Sequence, residues 1–303
     1  YLKAFQYTIA VSQTEYALTR VMYEVCEDAM LDGVNYIEVR FAPNLHSEQG
    51  LVPTKVLESV ILGARLAQEN FAGFHARIIV CGIRTHDVNI VSDMARVAVQ
   101  YRNEGVVAFD IAGPELGYVP SKFKDAFTIV HDELMSSTIH AGEAADHMYV
   151  HEALHVCRAT RIGHGVNLKD DPSLMQFVLE RQIPLEMCLT SNLQTKAVHH
   201  YSEHPLPDFF RRGMMVVPCT DNTLMSDITL SREYVKIQEL FMFDQADVLK
   251  LVDNSFRAAF VHDDLKNELR RRARQVAAGL GLSVQSIDGA EDSGITTIPT
   301  HIE

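Results

Sequence analysis

Thr138-Ile139-His140-Ala141-Gly142-Glu143 ends an apolar run in an imidazole, follows it with two small residues, and sets a carboxyl group three positions past the histidine. An imidazole suits a divalent metal and a nearby carboxyl suits proton transfer, so the stretch reads as half of a hydrolytic site at the end of a β-strand. The plain alternative is a core histidine followed by a helix N-terminal glutamate. The rest of the chain decides between them.

Working outward, helical spacing and short apolar runs alternate. Residues Ser12 to Asp32 read as a helix with Ser12 or Thr14 as N-cap and Gly33 as stop. Strands are expected at 36–41, 76–83, 106–111, the run into His140, 161–164, 184–189 and 214–219, with helices between them. Strict alternation implies a parallel sheet with crossover helices. The runs end at Pro43, Arg84, Gly113, His140, His164, Ser191 and Asp221, most of them polar or special residues. Polar residues at the carboxyl ends of many successive strands are the pattern of a (β/α)8 barrel, whereas an open sheet gathers function at one switch point. Seven strands are countable and such a barrel wants eight, so the first is expected upstream of Tyr1. Beyond Asp227 come extra C-terminal helices, in which Arg270-Arg271-Arg272 and Arg274 read as a solvated face. The expected organisation is one barrel domain over 1–282, N-terminally truncated, and a flexible tail over 283–303.

A hydrophobic content of 47% supports a sizeable core, and a net charge of −13 offers no basic surplus for a phosphate backbone, so nucleic acid is not an expected partner. No apolar run reaches membrane-spanning length and no signal peptide opens the chain, which predicts a cytoplasmic protein without a membrane partner. The five scattered cysteines read as buried thiols. They form no CxxC pair, which removes the cysteine-ligated class of zinc deaminase.

Three polar stretches at strand ends are candidates to share one mouth: His140 to Glu143, Arg161 to Gly165, and Pro218 to Asn222. Histidine and aspartate suit zinc, and water bound to such an ion becomes a nucleophile near neutral pH. The glycines flanking His164 would leave room beside its imidazole for a substrate. Asp221 is alternatively a helix N-cap.

Together TIHAGE (138–143), RIGHG (161–165), LTSN (189–192) and CTDN (219–222), supported by DIAGPE (110–115) and VRFAP (39–43), resemble the adenosine deaminase family. The resemblance implies a metal-bearing (β/α)8 barrel that hydrolyses adenosine and 2′-deoxyadenosine to inosine and 2′-deoxyinosine, with a small purine nucleoside as its partner. It makes His140 and Asp221 ligands of one Zn2+ per chain, and Glu143 the acid that protonates ring nitrogen N1. His164 would orient the attacking hydroxide, Asp221 could also take a proton from the water, and Gly113 would offer its N–H to the purine. Asn222 stands where the family usually has aspartate, and its amide can still donate to purine N7.

Family members also carry an H-x-H pair of metal ligands on the first barrel strand, which nothing before His46 supplies here. Either the chain extends upstream or it is a non-catalytic purine-binding remnant, and joint retention of His140, Glu143, His164 and Asp221 favours the first. On that reading Tyr1–Glu303 alone is expected to lack activity. A deaminase of adenine or another adenosine-like metabolite is the enzymatic alternative. The histidines at 199, 200 and 204 are expected in a solvated loop.

Overall fold

The computed structural model describes residues 4–282, so the expected tail at 283–303 lies outside the described residues. Seven strands form one sheet in chain order, every neighbouring pair parallel: β1 Tyr36–Phe41, β2 His75–Ile83, β3 Val106–Ala112, β4 Ser136–Ala141, β5 Arg161–His164, β6 Leu185–Met187 and β7 Val216–Pro218. Helices alternate with the strands as expected, among them Pro172–Glu180 and Leu230–Phe241, and Thr14, one of the two candidate caps, caps the helix Glu15–Leu31 by accepting from Ala17 N–H. Other expectations shift. The last two strands keep only three residues each, because the chain passes into the helix Leu189–Gln194 immediately after Cys188 and turns out of β7 at Cys219. Between β3 and β4 a 3-10 turn at Pro120–Phe123 leads into the helix Lys124–Asp132.

The strands read with period two. Phe109, Ile111, Ile139, Ile162, Leu185 and Val216 belong to the main apolar core packed with the surrounding helices, and the partly buried Ile37 and Val39 pack against it. Their neighbours Glu38, Arg40, Asp110, Thr138, His140, Arg161, Gly163 and Glu186 point to the other face, since successive side chains on a strand alternate. That second face is held by charge. Arg40 on β1 pairs with Asp110 on β3 at 2.9 Å and Glu186 on β6 at 2.5 Å, while Arg161 on β5 pairs with Glu38 on β1 and with Glu186 at 2.7 Å. Thr138 Oγ1 donates to Glu186 at 3.0 Å.

These bonds fix the shape. Five strand spacings separate β1 from β6, about 24 Å in a flat sheet, which no arginine can span. The sheet therefore curls until its polar face becomes an interior. One end of that interior is sealed by the segment after the helix Gln245–Ala258: Arg161 donates to Ala258 O at 2.9 Å, its guanidinium lies 3.4 Å from the Phe260 ring centroid, and Phe260 N–H donates to Glu38 at 2.7 Å.

The C-terminal arginines are not merely a solvated face. Arg270 grips Asp253 through two bonds of 2.6 and 3.1 Å, and Arg272 donates to Gly73 O at 2.8 Å, so they tie the helix Asp263–Gly279 to the body. All five cysteines are free, and four are buried.

Burial alone would push the Glu186 carboxyl up, but Arg40 and Arg161 outweigh it and hold it at about 2, against an ordinary 4.5. A carboxyl with a depressed folded pKa contributes stability above its unfolded value and loses it as pH falls through the folded one. The contribution is thus complete above about pH 4.5 and fades toward pH 2. Glu186→Gln should cost about 2–4 kcal/mol at pH 7, because the buried Arg161 and the half-buried Arg40 lose their shared charged partner. It should also flatten the acid limb of stability between those pH values. Urea midpoints measured against pH for both proteins check this, and parallel curves would count against it.

Candidate active site

At the carboxyl end of the interior, β4 and β5 lie in a register that pairs His140 with Gly163 and Ala141 with His164. Gly163 is what allows the approach: a Cβ there would sit 3.1 Å from His140 Cα and 3.3 Å from His140 N. The missing side chain therefore makes room for the neighbouring backbone, not for a substrate as expected. The His140 and His164 rings come within 5.1 Å, centroid to centroid.

Backbone conformation aims the polar groups. His164 has φ 64° and Asp221 φ 55°, both in the left-handed region that non-glycine residues seldom occupy. Such strain persists only where surrounding contacts over-determine it, and it collects at functional sites. Asp221 is not a helix N-cap: the cap of Thr223–Ser226 is Asn222, whose side chain makes no capping bond. Asn222 instead donates to Asp221 Oδ1 at 2.7 Å, and Ser191 Oγ donates to Asp221 Oδ2 at 2.7 Å. Burial raises the Asp221 carboxyl, but His164, Ser191 and His140 together bring it below its ordinary value. Gly113, just past β3, has φ 100°, and only a glycine turns there without strain.

His140 is held on three sides. Its Nδ1 lies 2.7 Å from Asp110 Oδ2, its N–H donates to Asp110 Oδ1 at 3.2 Å, and its carbonyl accepts from the buried Arg84. Burial disfavours the charged ring, yet Asp110 outweighs burial and the net shift is upward.

Glu143 follows in a loop whose amides converge on one carboxylate. Glu115 accepts from Gly142 N–H at 2.5 Å and from those of Glu143, Ala144 and Ala145 at 3.0, 2.7 and 2.8 Å. Oε1 of Glu143 takes bonds from Thr195 Oγ1 at 2.8 Å and Asn192 Nδ2 at 3.2 Å. Its Oε2 faces His164 Nε2 at 3.6 Å, too long for a direct hydrogen bond.

Thus the structure brings His140, Glu143, His164, Asp221 and Asn222 together. It adds Asp110, Glu115, Thr195 and His204. His204 is 2% exposed, so it is no part of a solvated loop. Its Nε2 meets Asn192 Oδ1 at 3.1 Å. Glu115 lies in the DIAGPE stretch, whose closing carboxylate was the one signal for it; Thr195 and His204 carry none.

The donor set can be tested for a metal. An imidazole with Nδ1 against a carboxylate and Nε2 left for the ion is the usual arrangement of a ligating histidine, and His140 with Asp110 has it. The buried Asp221 carboxylate is a second donor of suitable chemistry. The two fit as part of a set, since zinc sites use three or four protein ligands. Among the described residues no group of three His, Cys, Asp or Glu is placed to hold an ion. The helix His147–His155 carries a second metal-type pattern, His151-Glu152-Ala153-Leu154-His155. Its Glu152 is committed to Ser121 N–H at 3.0 Å and His155 packs on Phe177, ring centroids 4.7 Å apart.

The sequence model of the adenosine deaminase family matches residues 1–276. A probable adenosine deaminase of Dictyostelium discoideum is 42% identical over 295 residues, 97% of this chain and 38% of that protein. The adenosine deaminase of Mycobacterium marinum is 38% identical over 284 residues, with 89% of this chain and 78% of that protein covered. The chain thus spans little more than a third of the first relative and about three quarters of the second. Among solved structures, the adenine deaminase of Arthrobacter aurescens superposes with a TM-score of 0.84 at 25% identity, covering 91% of this chain and 84% of that one.

Because a Cβ at position 163 would strike the His140 backbone, Gly163→Ala should destabilise the protein by about 1–3 kcal/mol. Denaturant midpoints of the two proteins measure this. An unchanged midpoint would mean that the contact between β4 and β5 is not tight.

Proposed function

The chain belongs to the adenosine deaminase family, and on that footing we propose that the whole protein hydrolyses adenosine and 2′-deoxyadenosine to the corresponding inosines, releasing ammonia. The observation that carries this reading is the carboxylate of Glu143. One oxygen is anchored by Thr195 and Asn192, and the other is left toward His164 among the strand-end groups His140 and Asp221.

Each residue then has a task. Glu143 delivers a proton to ring N1 through Oε2, so that electron density from the opened C6=N1 bond has somewhere to go as water adds at C6. His164, beside Oε2, orients the attacking oxygen, and Asp221, held by Ser191 and Asn222, takes its proton. Asp221 then passes that proton to the exocyclic nitrogen, which departs as ammonia, while the new C6 hydroxyl gives up its own proton to restore the acid form of Glu143 and leaves the C6=O, N1–H of inosine. Gly113 offers its N–H to the purine. Asn222 can donate to N7 through the amide hydrogen not engaged by Asp221. His140 and Asp221 would hold one Zn2+, and a zinc ion supplies acidification of a bound water.

The adenine deaminase likeness supports a second reading, in which the free base is the substrate. Ammonia release from adenosine and from adenine, compared by kcat/KM, separates the two, and a preference for adenine would overturn the nucleoside assignment. Glu143→Gln should lower kcat by ~10²-fold or more while purine binding and metal content persist, since an amide keeps the shape but has no acidic proton. A near-wild-type rate in this variant would remove Glu143 from the chemistry. His140→Ala should instead lose metal along with activity, read by metal analysis of the purified full chain.

A further inference from the structure

We propose that Asn192, oriented by His204, is a positioning residue that fixes which ring nitrogen of His164 carries the proton, so that His164 presents an Nε2–H donor toward Glu143. The inference rests on the site reading above, but only for its effect on rate. The tautomer itself follows from hydrogen-bond bookkeeping.

The chain of donors starts at a backbone amide, whose role is not in doubt. Leu206 N–H donates to His204 Nδ1 at 3.2 Å, so that nitrogen is an acceptor and carries no proton. The proton of His204 therefore sits on Nε2, which lies 3.1 Å from Asn192 and donates to the side-chain oxygen there. The amide nitrogen of Asn192 is then the end that faces the site, with two hydrogens and two acceptors. One goes to Glu143 Oε1 at 3.2 Å, the other to His164 Nδ1 at 2.9 Å. With Nδ1 of His164 accepting, its proton belongs on Nε2, the nitrogen 3.6 Å from Glu143 Oε2. The opposite orientation of Asn192 would set its oxygen against the Glu143 carboxylate and its NH2 against the proton of His204.

Burial makes the arrangement exclusive. His204, Asn192 and His164 are 2%, 0% and 3% exposed, so no solvent is at hand to satisfy a misplaced donor, and a buried donor left without its acceptor carries the full cost of its desolvation. Burial, with Lys169 and His164 nearby, also pushes His204 down to about 3, which keeps it in the neutral form that the Leu206 bond requires.

The tautomer has a chemical consequence. An Nε2–H can donate to a water or substrate oxygen lying between His164 and Glu143, whereas a bare Nε2 would compete with that oxygen as an acceptor. Asn192 and His204 touch neither substrate nor reacting atoms on this reading. They act through His164 and Glu143.

The test is nitrogen NMR of the full chain labelled with 15N-histidine, with the His164 signals identified by their loss in His164→Gln. The wild-type ring should show the Nε2–H tautomer at neutral pH. Asn192→Leu should give a mixture of tautomers and lower kcat by about tenfold or more, with KM changed less than about twofold. His204→Leu should lie between the two, and His204→Gln, whose amide can still donate to Asn192, should recover most of the rate. A wild-type His164 protonated on Nδ1 would overturn the proposal without any variant having to fold. So would an Asn192→Leu protein that keeps both the tautomer and the rate. An Nε2–H ring in a protein that deaminates no purine would leave this inference standing and remove the proposed function instead.

Discussion

The rest of the structure depends on the ion pairs that Arg40 and Arg161 make across the interior. Hydrogen bonds between strands specify neighbours only, and a parallel sheet bonded that way could lie nearly flat. Contact of β1 with β6 and of β5 with β1 is what turns seven strands into a wall around an inside. Buried ion pairs often add little net stability over an apolar filling, but they demand one geometry. Here Asp110 extends that demand to the strand ends, because the carboxylate gripped by Arg40 also takes the His140 amide and faces its ring. Scaffold and site share an atom group, so a disturbance deep in the interior reaches His140 through a single side chain.

Above that layer the site is built from strained positions. His164 and Asp221 both leave their strands in left-handed conformations, and both are pinned by side chains from the segment at 191–192: Ser191 on Asp221, Asn192 on His164. Two adjacent residues in the first turn of one helix thus orient groups supplied by two different strand ends. That helix begins immediately after β6, which is why β6 is only three residues long.

Much of this was legible in the sequence. Strand identity showed because short apolar runs end in polar or special residues, and the bounds of β1 and β5 matched because Pro43 opens a 3-10 turn two residues past Phe41 and Gly165 takes a left-handed turn straight after His164. Sites whose partners are local in space but distant in the chain did not show. His204 lies among other histidines and two prolines, a loop composition. Yet it is buried, with its ring bonded to Asn192, twelve positions away, and to the Leu206 amide. Gly163 looked like space for a substrate because a sequence does not say which neighbour occupies the gap; the answer was the backbone of His140. The arginines at 270 and 272 looked solvated because their partners, Asp253 and the Gly73 carbonyl, lie 17 and 199 residues away. Residue type and spacing announced the chemistry of the site, and its support came from long-range contacts that leave no periodic trace.

Glu115 gives the loop after β4 an unusual mechanical character. Four successive amides are turned onto one buried carboxylate, so the loop has no single hydrogen bond that can open alone without exposing the charge to its remaining neighbours. Ordinary loops fluctuate residue by residue and exchange their amide hydrogens quickly. This one should open as a block or not at all, with exchange as slow as in the strand that precedes it. In terms of motion, Glu143 then rides on an extension of β4 and is as stationary as the sheet.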